Sequence, residues 1–351
     1  MKKILHIFRT SQFTKTFVQF INQYFDPKYH IFWVYGENFF DYSDKSMIQF
    51  CNVIYIPQIH ILLNKKSIYE QLEEFDLIFY HGLFDENIVD FFGENRDLVK
   101  KLCLYFWGGD KKPADFWSES SKGHYRYMIH NAVKIITIIE EDYRSICDDY
   151  APQGEHFSAL YGENYDYGEL KYEDNVYGQT INIQIGNSAT KSNHHIRALK
   201  ELEQYKDERI RVWLPLSYGD KKYAAEVIDF GRKLFGTKLI ALEKYMPETQ
   251  YNELLKTMNV GIFDIDRQQA LGNITSLLES GCKIFLRKGS MLAGYFEDEC
   301  GCRIFYMEDI PQMGFRHFIE YTKEEAFENK RKLDQFFNVD RIVKVWNEIF
   351  H

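Results

Sequence analysis

Short apolar runs alternate with stretches of helical spacing along nearly the whole chain, and this alternation constrains the fold more than any other feature of the sequence. A first series of runs covers residues 4–8, 31–35, 53–56, 77–80, 101–106 and 134–139. Between them, 14–24 sets Phe17, Phe20, Ile21 and Tyr24 at helical spacing, and 67–74 is a second helical segment. A second series of runs covers 180–185, 210–214, 239–242, 260–263, 283–286 and 303–306, with helices predicted at 194–205, 221–235, 248–258 and 273–280. Parallel strands need a crossover between them, which a helix supplies. Strand and helix in repeated alternation therefore predict an α/β protein with mostly parallel, doubly wound sheets.

The pattern breaks once. Over residues 151–178, Pro152, Gly154, Gly162, Gly168 and Gly178 interrupt every period, as a connector would. The chain is thus expected to form a first Rossmann-like domain at 1–160 and a second at 161–322. A charged, amphipathic tail at 323–351 carries Phe327, Leu333, Phe336, Phe337, Ile342, Val345, Trp346 and Ile349, and reads as closing helices bracing the lobes. Two such lobes are expected to face a central cleft at the carboxyl ends of their sheets, where open α/β sheets bind ligands.

Composition excludes several classes. Hydrophobic residues make up 45% of the 351, enough for a packed core. The 25 Tyr and 29 Phe are never gathered into a run of about 18 apolar residues, so an integral membrane protein is not expected. A net charge of −9 argues against holding nucleic acid by the overall field. Six cysteines lack zinc-site spacing and are too sparse for a disulfide framework, which suits a reduced cytoplasm. The opening Met1-Lys2-Lys3-Ile4-Leu5-His6-Ile7-Phe8 is cut short by Arg9, Gln12 and Lys15, so it reads as a first strand rather than a signal peptide.

Two polar loops precede predicted helices in the second series. Gly186, Asn187, Ser188, Ser192 and Asn193 lie in the first, followed by His194 and His195, and Gln268, Gln269, Gly272 and Asn273 in the second. Glycine admits close backbone approach, and a helix amino end presents unpaired N–H groups and a positive dipole, all suited to phosphate. The plainer alternative is a βα turn with Ser192 or Asn193 as N-cap. Asp264-Ile265-Asp266 matches a short DxD string that can hold a divalent metal, or else it supplies strand-end charges. His194 and His195 are adjacent and would point apart on a helix, which makes them poor joint metal ligands. In the first series, His81 and Asp110 each follow a strand. Asp110 is the first choice as general base and His81 the second, the alternatives being a core histidine and a turn or cap aspartate. Lys65-Lys66, Lys111-Lys112 and 122–126 are short basic clusters able to meet an anionic head group, or solvated faces.

The run Ile185-Gly186-Asn187-Ser188-Ala189-Thr190-Lys191-Ser192-Asn193-His194-His195-Ile196 resembles the TDP-N-acetylfucosamine:lipid II N-acetylfucosaminyltransferase family, glycosyltransferase family 56. His81-Gly82-Leu83-Phe84, Trp107-Gly108-Gly109-Asp110, Leu214-Pro215-Leu216-Ser217-Tyr218-Gly219 and Arg267-Gln268-Gln269-Ala270-Leu271-Gly272 resemble that family's blocks in the same order. The chain departs from its relatives at Gly109, Ser217 and Leu271-Gly272-Asn273.

The resemblance implies a GT-B fold, with an acceptor-binding first lobe and a nucleotide-sugar-binding second lobe. It implies transfer of an N-acetylfucosamine-type (4-amino-4,6-dideoxy) sugar from a dTDP- or UDP-sugar to a polyprenyl-diphosphate-linked glycan, at the inner face of the cell membrane. No metal or other cofactor is expected. On the residues matched, Gly186, Asn187, Ser188, Ser192 and Asn193 would form the donor-side loop, and Gln268, Gln269, Gly272 and Asn273 the diphosphate-side helix start. Tyr218 would be a donor contact. Glu243 and Tyr245, just past a strand, stand where such folds contact the nucleoside. The alternatives are a two-lobed nucleotide-sugar epimerase and a non-catalytic sugar-nucleotide-binding partner.

Overall fold

The computed structural model describes residues 2–36, 50–65, 67–162, 170, 172 and 178–351. Lys66 and Gly168 lie outside the described residues. The chain divides into two compact units, Met1–Asn164 with Asn338–His351, and Tyr165–Phe337.

The first unit is built on a seven-stranded sheet. Its strands are β1 (Ile4–Arg9), β2 (His30–Tyr35), β3 (Val53–Ile56), β4 (Leu77–His81), β5 (Leu102–Tyr105), β6 (Lys134–Thr137) and β7 (Glu155–Ser158), in the order β3-β2-β1-β4-β5-β6-β7. Every pair is parallel. Alternation along β1 sends Leu5 and Ile7 to one face, where they join Ile78, Leu104 and the helices Glu86–Glu94 and Glu119–Asn131 through Phe92 and Met128. His6 and Phe8 point to the other face, among Phe17, Phe32 and Phe79.

The helix Val339–Phe350 packs on this second face. Its Trp346 and Phe350 rings lie 6.1 and 5.5 Å from Phe79, and Trp346 Nε1 donates to the Leu160 carbonyl at 2.7 Å. Lys134, buried in β6, donates from Nζ to the Ile349 carbonyl at 2.7 Å and so satisfies an orphan acceptor of the last turn. The helix Lys323–Phe336, opened by a Thr322–Glu325 capping box, falls in the second unit. The amphipathic tail is therefore shared between the two units, dividing at Asn338.

β7 lies inside the stretch read as a connector. It is a four-residue edge strand, Glu155-His-Phe-Ser, half-exposed and with no apolar run to announce it.

The second unit repeats the plan with β8 (Ile181–Ile185), β9 (Ile210–Pro215), β10 (Leu239–Leu242), β11 (Val260–Phe263), β12 (Lys283–Leu286) and β13 (Phe305–Tyr306), in the order β10-β9-β8-β11-β12-β13 and again all parallel. Ile183, Ile185, Val212, Leu214, Val260 and Ile262 form its buried centre with Leu199 and Val227 from flanking helices. In each sheet the strand order reverses once, between β1 and β4 in the first and between β8 and β11 in the second. Those switch points open crevices at the strands' carboxyl ends.

Candidate functional site

In the second unit the loops after β8 and β11 flank the switch point. Gly186 leaves β8 with φ +63°, and a Cβ there would stand 2.6 Å from His195 Nε2 and 2.8 Å from Asn193 Oδ1. Only glycine fits this turn. The fully buried Asn193 holds the loop closed: its Oδ1 accepts from the Asn187 N–H at 3.1 Å, and its Nδ2 donates to the Ser188 carbonyl at 3.1 Å and to Thr190 Oγ1 at 2.8 Å. Asn193 is thus a loop staple and not an N-cap. The helix His195–Leu202 starts instead from left-handed His194, with no side-chain cap.

The loop after β11 ends the same way. Ala270, at φ +62°, precedes the helix Leu271–Glu279, again with no side-chain cap. Neither helix start has a side-chain N-cap, though the His195 N–H donates to Tyr223 Oη at 3.3 Å, and a helix start without such a cap favours an anion. The two loops are tied together: Ser192 Oγ donates to Gln269 Oε1 at 3.1 Å, which also accepts from Arg267 Nε at 3.0 Å. Gly272 has open space where a Cβ would be. Asn273 Oδ1 accepts from Tyr251 Oη at 2.5 Å and from Gln184 Nε2 at 3.3 Å.

Four buried polar atoms around these loops find no partner: Asn187 Oδ1, His195 Nε2, Gln268 Oε1 and Gln269 Nε2. Leaving a buried polar atom unpaired costs about 1–3 kcal/mol, so their concentration here makes these loops the candidate binding site. Burial lowers the His195 pKa to about 4 and keeps the imidazole neutral. Tyr218, 59% exposed, accepts from Asn187 Nδ2 at 3.0 Å. Glu243 and Tyr245 are exposed beyond β10, the edge strand two places from β8.

The acids of the DxD string are occupied. Asp264, fully buried, has Arg287 Nε 2.6 Å from Oδ1 and Arg197 Nε 2.8 Å from Oδ2. Asp266 pairs with Arg287 and, at 2.5 Å, with His194. Desolvation works against ionisation of Asp266, but the hydrogen bonds and charges of His194 and Arg287 outweigh it and lower its pKa. Sequence reasoning missed Arg197, Arg287, Gln184 and Tyr251. Gln184, a buried amide within a strand, was the one legible signal among them.

In the first unit, His81 and Asp110 both stand at the carboxyl end of the sheet and both are closed to solvent, at 0% and 1% exposure. Asp110 joins the loops after β4 and β5: Oδ2 accepts the Leu83 N–H and Oδ1 the Trp107 N–H, each at 2.8 Å. Burial outweighs these hydrogen bonds and raises its pKa to about 6. His81 lies under the Phe8 ring, centroids 3.7 Å apart, with Tyr161 Oη 3.0 Å from Nδ1. Burial lowers its pKa well below the usual value. Phe106 is fully buried packing.

Of the basic clusters, Lys111 pairs with Asp142 at 2.6 Å, Lys112 with Asp149 at 3.4 Å and Lys122 with Glu119 at 2.9 Å. No helix among the described residues is long and apolar enough to cross a membrane.

The family model for 4-alpha-L-fucosyltransferase, glycosyl transferase group 56, matches residues 164–350, more than half of the chain. The chain belongs to glycosyltransferase group 56. The matched residues of this group 56 chain include the loops after β8 and β11, whereas the His81 and Trp107 blocks lie outside them.

Solved structures with the same architecture include a glycosyltransferase from Rickettsia africae, with a TM-score of 0.72, 11% identity and coverage of 99% of this chain and 97% of that one. HepE from Anabaena, in complex with UDP and glucose, gives 0.68 at 12% identity, covering 100% and 99%. A UDP-forming α,α-trehalose-phosphate synthase from Burkholderia vietnamiensis gives 0.62 at 11%, covering 99% and 98%. The group 56 fold is accordingly GT-B, and the protein is a glycosyltransferase.

Proposed function

We propose that this group 56 enzyme transfers an N-acetylfucosamine-type sugar from a dTDP or UDP carrier to a polyprenyl-diphosphate-linked glycan for a surface polysaccharide. The observation that carries the donor half of this reading is the pair of uncapped helix starts at one switch point, before His195 and before Leu271, with four unpaired buried polar atoms around them.

A diphosphate would take its hydrogen bonds from the N–H groups at these helix starts, with Lys191 and Arg267 supplying positive charge beside them. Glu243 and Tyr245 would meet the nucleoside, and Tyr218 the sugar side of the donor. No divalent cation is required in this scheme. The two acids of the DxD string already neutralise arginines and hold the loops' bases in place. When the glycosidic phosphate bond breaks, its electron pair passes to the nucleoside diphosphate, and donors already aimed at the phosphates stabilise that charge without rearrangement.

For the acceptor hydroxyl, burial raises the proton affinity of Asp110 and lowers that of His81. The fixed Asp110 carboxylate shapes the loop in which a base must work. We assign Asp110 and His81 to positioning in the resting arrangement. The enzyme would act peripherally at the cytoplasmic membrane face. Co-sedimentation with anionic vesicles at low and high salt tests that part, and protein remaining in the supernatant at both would remove it.

The deciding experiment is thermal-shift titration with dTDP, UDP, GDP and NAD, each with magnesium and with EDTA. Stabilisation by dTDP or UDP alone, unchanged by EDTA, is the expected outcome. Stabilisation by none of them, or only with magnesium, would overturn the donor reading.

A further inference from the structure

Past β9 the chain reaches the helix Lys221–Phe235 through Leu216-Ser217-Tyr218-Gly219-Asp220, a loop that carries the proposed donor contact Tyr218. This loop is fastened to the one after β8. The Ala189 N–H donates to the Tyr218 carbonyl and the Asp220 N–H to the Ala189 carbonyl, both at 2.8 Å, forming one parallel bridge, Ala189 with Gly219, beyond the ends of the two strands.

Side-chain ties flank the bridge on both sides. Before it, Tyr218 Oη accepts from Asn187 Nδ2 at 3.0 Å. After it, Asp220 Oδ1 caps the helix by accepting the Lys222 N–H at 2.8 Å and the Tyr223 N–H at 3.2 Å. Tyr223 Oη, in that first turn, accepts the His195 N–H at 3.3 Å and lies 3.3 Å from His195 Nδ1. Asn187, Ala189 and His195 all belong to the loop after β8 or to the helix start that it feeds. The loop after β9 and the helix behind it thus hold that segment at three points.

Gly219 is the residue on which these ties turn. Its φ is +111°, a backbone that residues with a side chain rarely adopt. A Cβ there would stand 2.6 Å from the Ala189 carbonyl oxygen and 2.7 Å from the carbonyl carbon. Both are main-chain atoms, so no side chain can swing aside, and a methyl group would push the two loops apart. Gly236, at the far end of the same helix, has φ +55° and nothing within 4 Å of its would-be Cβ. Alanine at that position meets backbone strain without touching either loop.

We propose that Gly219 is a positioning residue for the donor, locking the loops after β8 and β9 into one body so that Tyr218 and the helix start before His195 keep a fixed spacing. The proposal rests on the reading that places the nucleotide at that helix start. The physical basis is preorganisation: loops that move separately must be ordered by the ligand, and that ordering lowers the affinity.

The test pairs Gly219→Ala with Gly236→Ala in the full chain, using amide hydrogen exchange, urea unfolding and calorimetric titration with dTDP and UDP. In Gly219→Ala the Ala189 and Asp220 amides should exchange about tenfold faster or more, and nucleotide affinity should fall about tenfold or more. Gly236→Ala should lose stability through its strained backbone yet keep both readouts within about twofold of wild type. If Gly219→Ala does not fold, Tyr223→Phe takes its place: it breaks the tie to His195 without adding an atom, and should weaken nucleotide binding about threefold. Equal affinity in these variants and wild type, an equal loss in Gly236→Ala, or unchanged exchange at Ala189 and Asp220 in Gly219→Ala would overturn the positioning role. Wild type that binds neither nucleotide would remove the donor reading and the positioning role with it, a result distinct from nucleotide binding that ignores the bridge.

Discussion

His6 Nδ1 lies 3.1 Å from His81 Nε2, deep in the first unit and out of contact with water. The pair belongs to a longer chain. His6 Nε2 is 3.0 Å from His30 Nδ1, and His81 Nδ1 is 3.0 Å from Tyr161 Oη, which accepts from Trp107 Nε1 at 2.5 Å. One assignment of protons serves every link. Trp107 can only donate, Tyr161 passes its own proton toward His81, and His81 and His6 each donate onward from Nε2. All three imidazoles are neutral in that arrangement. An added proton would break a link and place a charge among Phe8, Phe17, Phe32 and Phe79.

The chain predicts acid lability of the first unit. Burial lowers the His30 pKa to about 4, with Asp26, itself paired to Lys28, pulling weakly the other way. His6 and His81 are lowered well below the usual value. Groups lowered on folding bind fewer protons in the native state, so their stabilisation is complete above about pH 6.5 and is lost as pH falls toward 4. Four of the five tryptophans, Trp33, Trp107, Trp117 and Trp346, lie in this unit, so tryptophan emission during urea unfolding reads it. The midpoint should fall steeply from pH 6.5 to 4. His6→Leu should cost about 2–5 kcal/mol at pH 7, because it strands one nitrogen on each neighbour, and should flatten the pH slope. A midpoint level across this range would refute the neutral chain.

Asp110 titrates in the opposite sense. Its pKa is raised to about 6 in the folded state from an ordinary 3.8, so the native state holds the proton longer. Its contribution is therefore present below about pH 4 and is lost as pH rises through 6. It offsets part of the histidine effect. Asp110→Asn should make the tryptophan-monitored midpoint depend more steeply on pH between 4 and 6 than in wild type. Coincident slopes would mean that Asp110 does not hold a proton there.

The sheets were legible because parallel, doubly covered strands are continuous apolar runs, as at 260–263 and 284–286. β7 was not, because an edge strand needs no apolar face on its open side. The loops after β8 and β11 were legible as small polar segments between a strand and a helix. Their internal wiring was not. Asn193 reads from sequence as an N-cap, yet its amide is spent on Asn187, Ser188 and Thr190. Spacing along the chain carries no information on Arg197 and Arg287, which reach the same carboxylate from elements 90 residues apart in number, nor on His30, His6 and His81, brought together by the β2-β1-β4 order.

The arginine cage around Asp264 makes a third prediction. Arg287 is 24% exposed and Asp264 fully buried, so removing the guanidinium leaves the buried carboxylate with Arg197 as its one remaining partner. Breaking such a pair costs about 3–5 kcal/mol. With Arg197 still in place, Arg287→Met should lower the unfolding free energy of the second unit by part of that amount, and Arg197→Met, whose side chain is 44% exposed, by less. Hydrogen exchange at β11 and β12 would report it locally. Magnesium should restore neither variant. A magnesium-dependent gain in wild type, abolished by EDTA, would instead mark the two aspartates as metal ligands.

Two glycines in the second unit should respond to the same substitution in opposite ways. At Gly186 a methyl group would meet His195 Nε2 at 2.6 Å and Asn193 Oδ1 at 2.8 Å, on a backbone at φ +63° that disfavours alanine. Asn193 is held by the loop's own hydrogen bonds and His195 by Tyr223 Oη, 3.3 Å from its Nδ1, so the loop must move to admit it. Gly186→Ala should weaken dTDP or UDP binding tenfold or more in calorimetric titration and lower stability by about 1–3 kcal/mol. Gly272 sits in the first turn of the helix Leu271–Glu279 with nothing near its would-be Cβ. There alanine is the better helix former, and Gly272→Ala should raise stability by about 0.5–1 kcal/mol. The same methyl group would stand beside the helix N–H groups proposed to meet the diphosphate. Nucleotide affinity should therefore fall while stability rises, a divergence that a purely structural turn would not produce. Equal affinity in Gly272→Ala and wild type would show that the diphosphate does not approach this helix start.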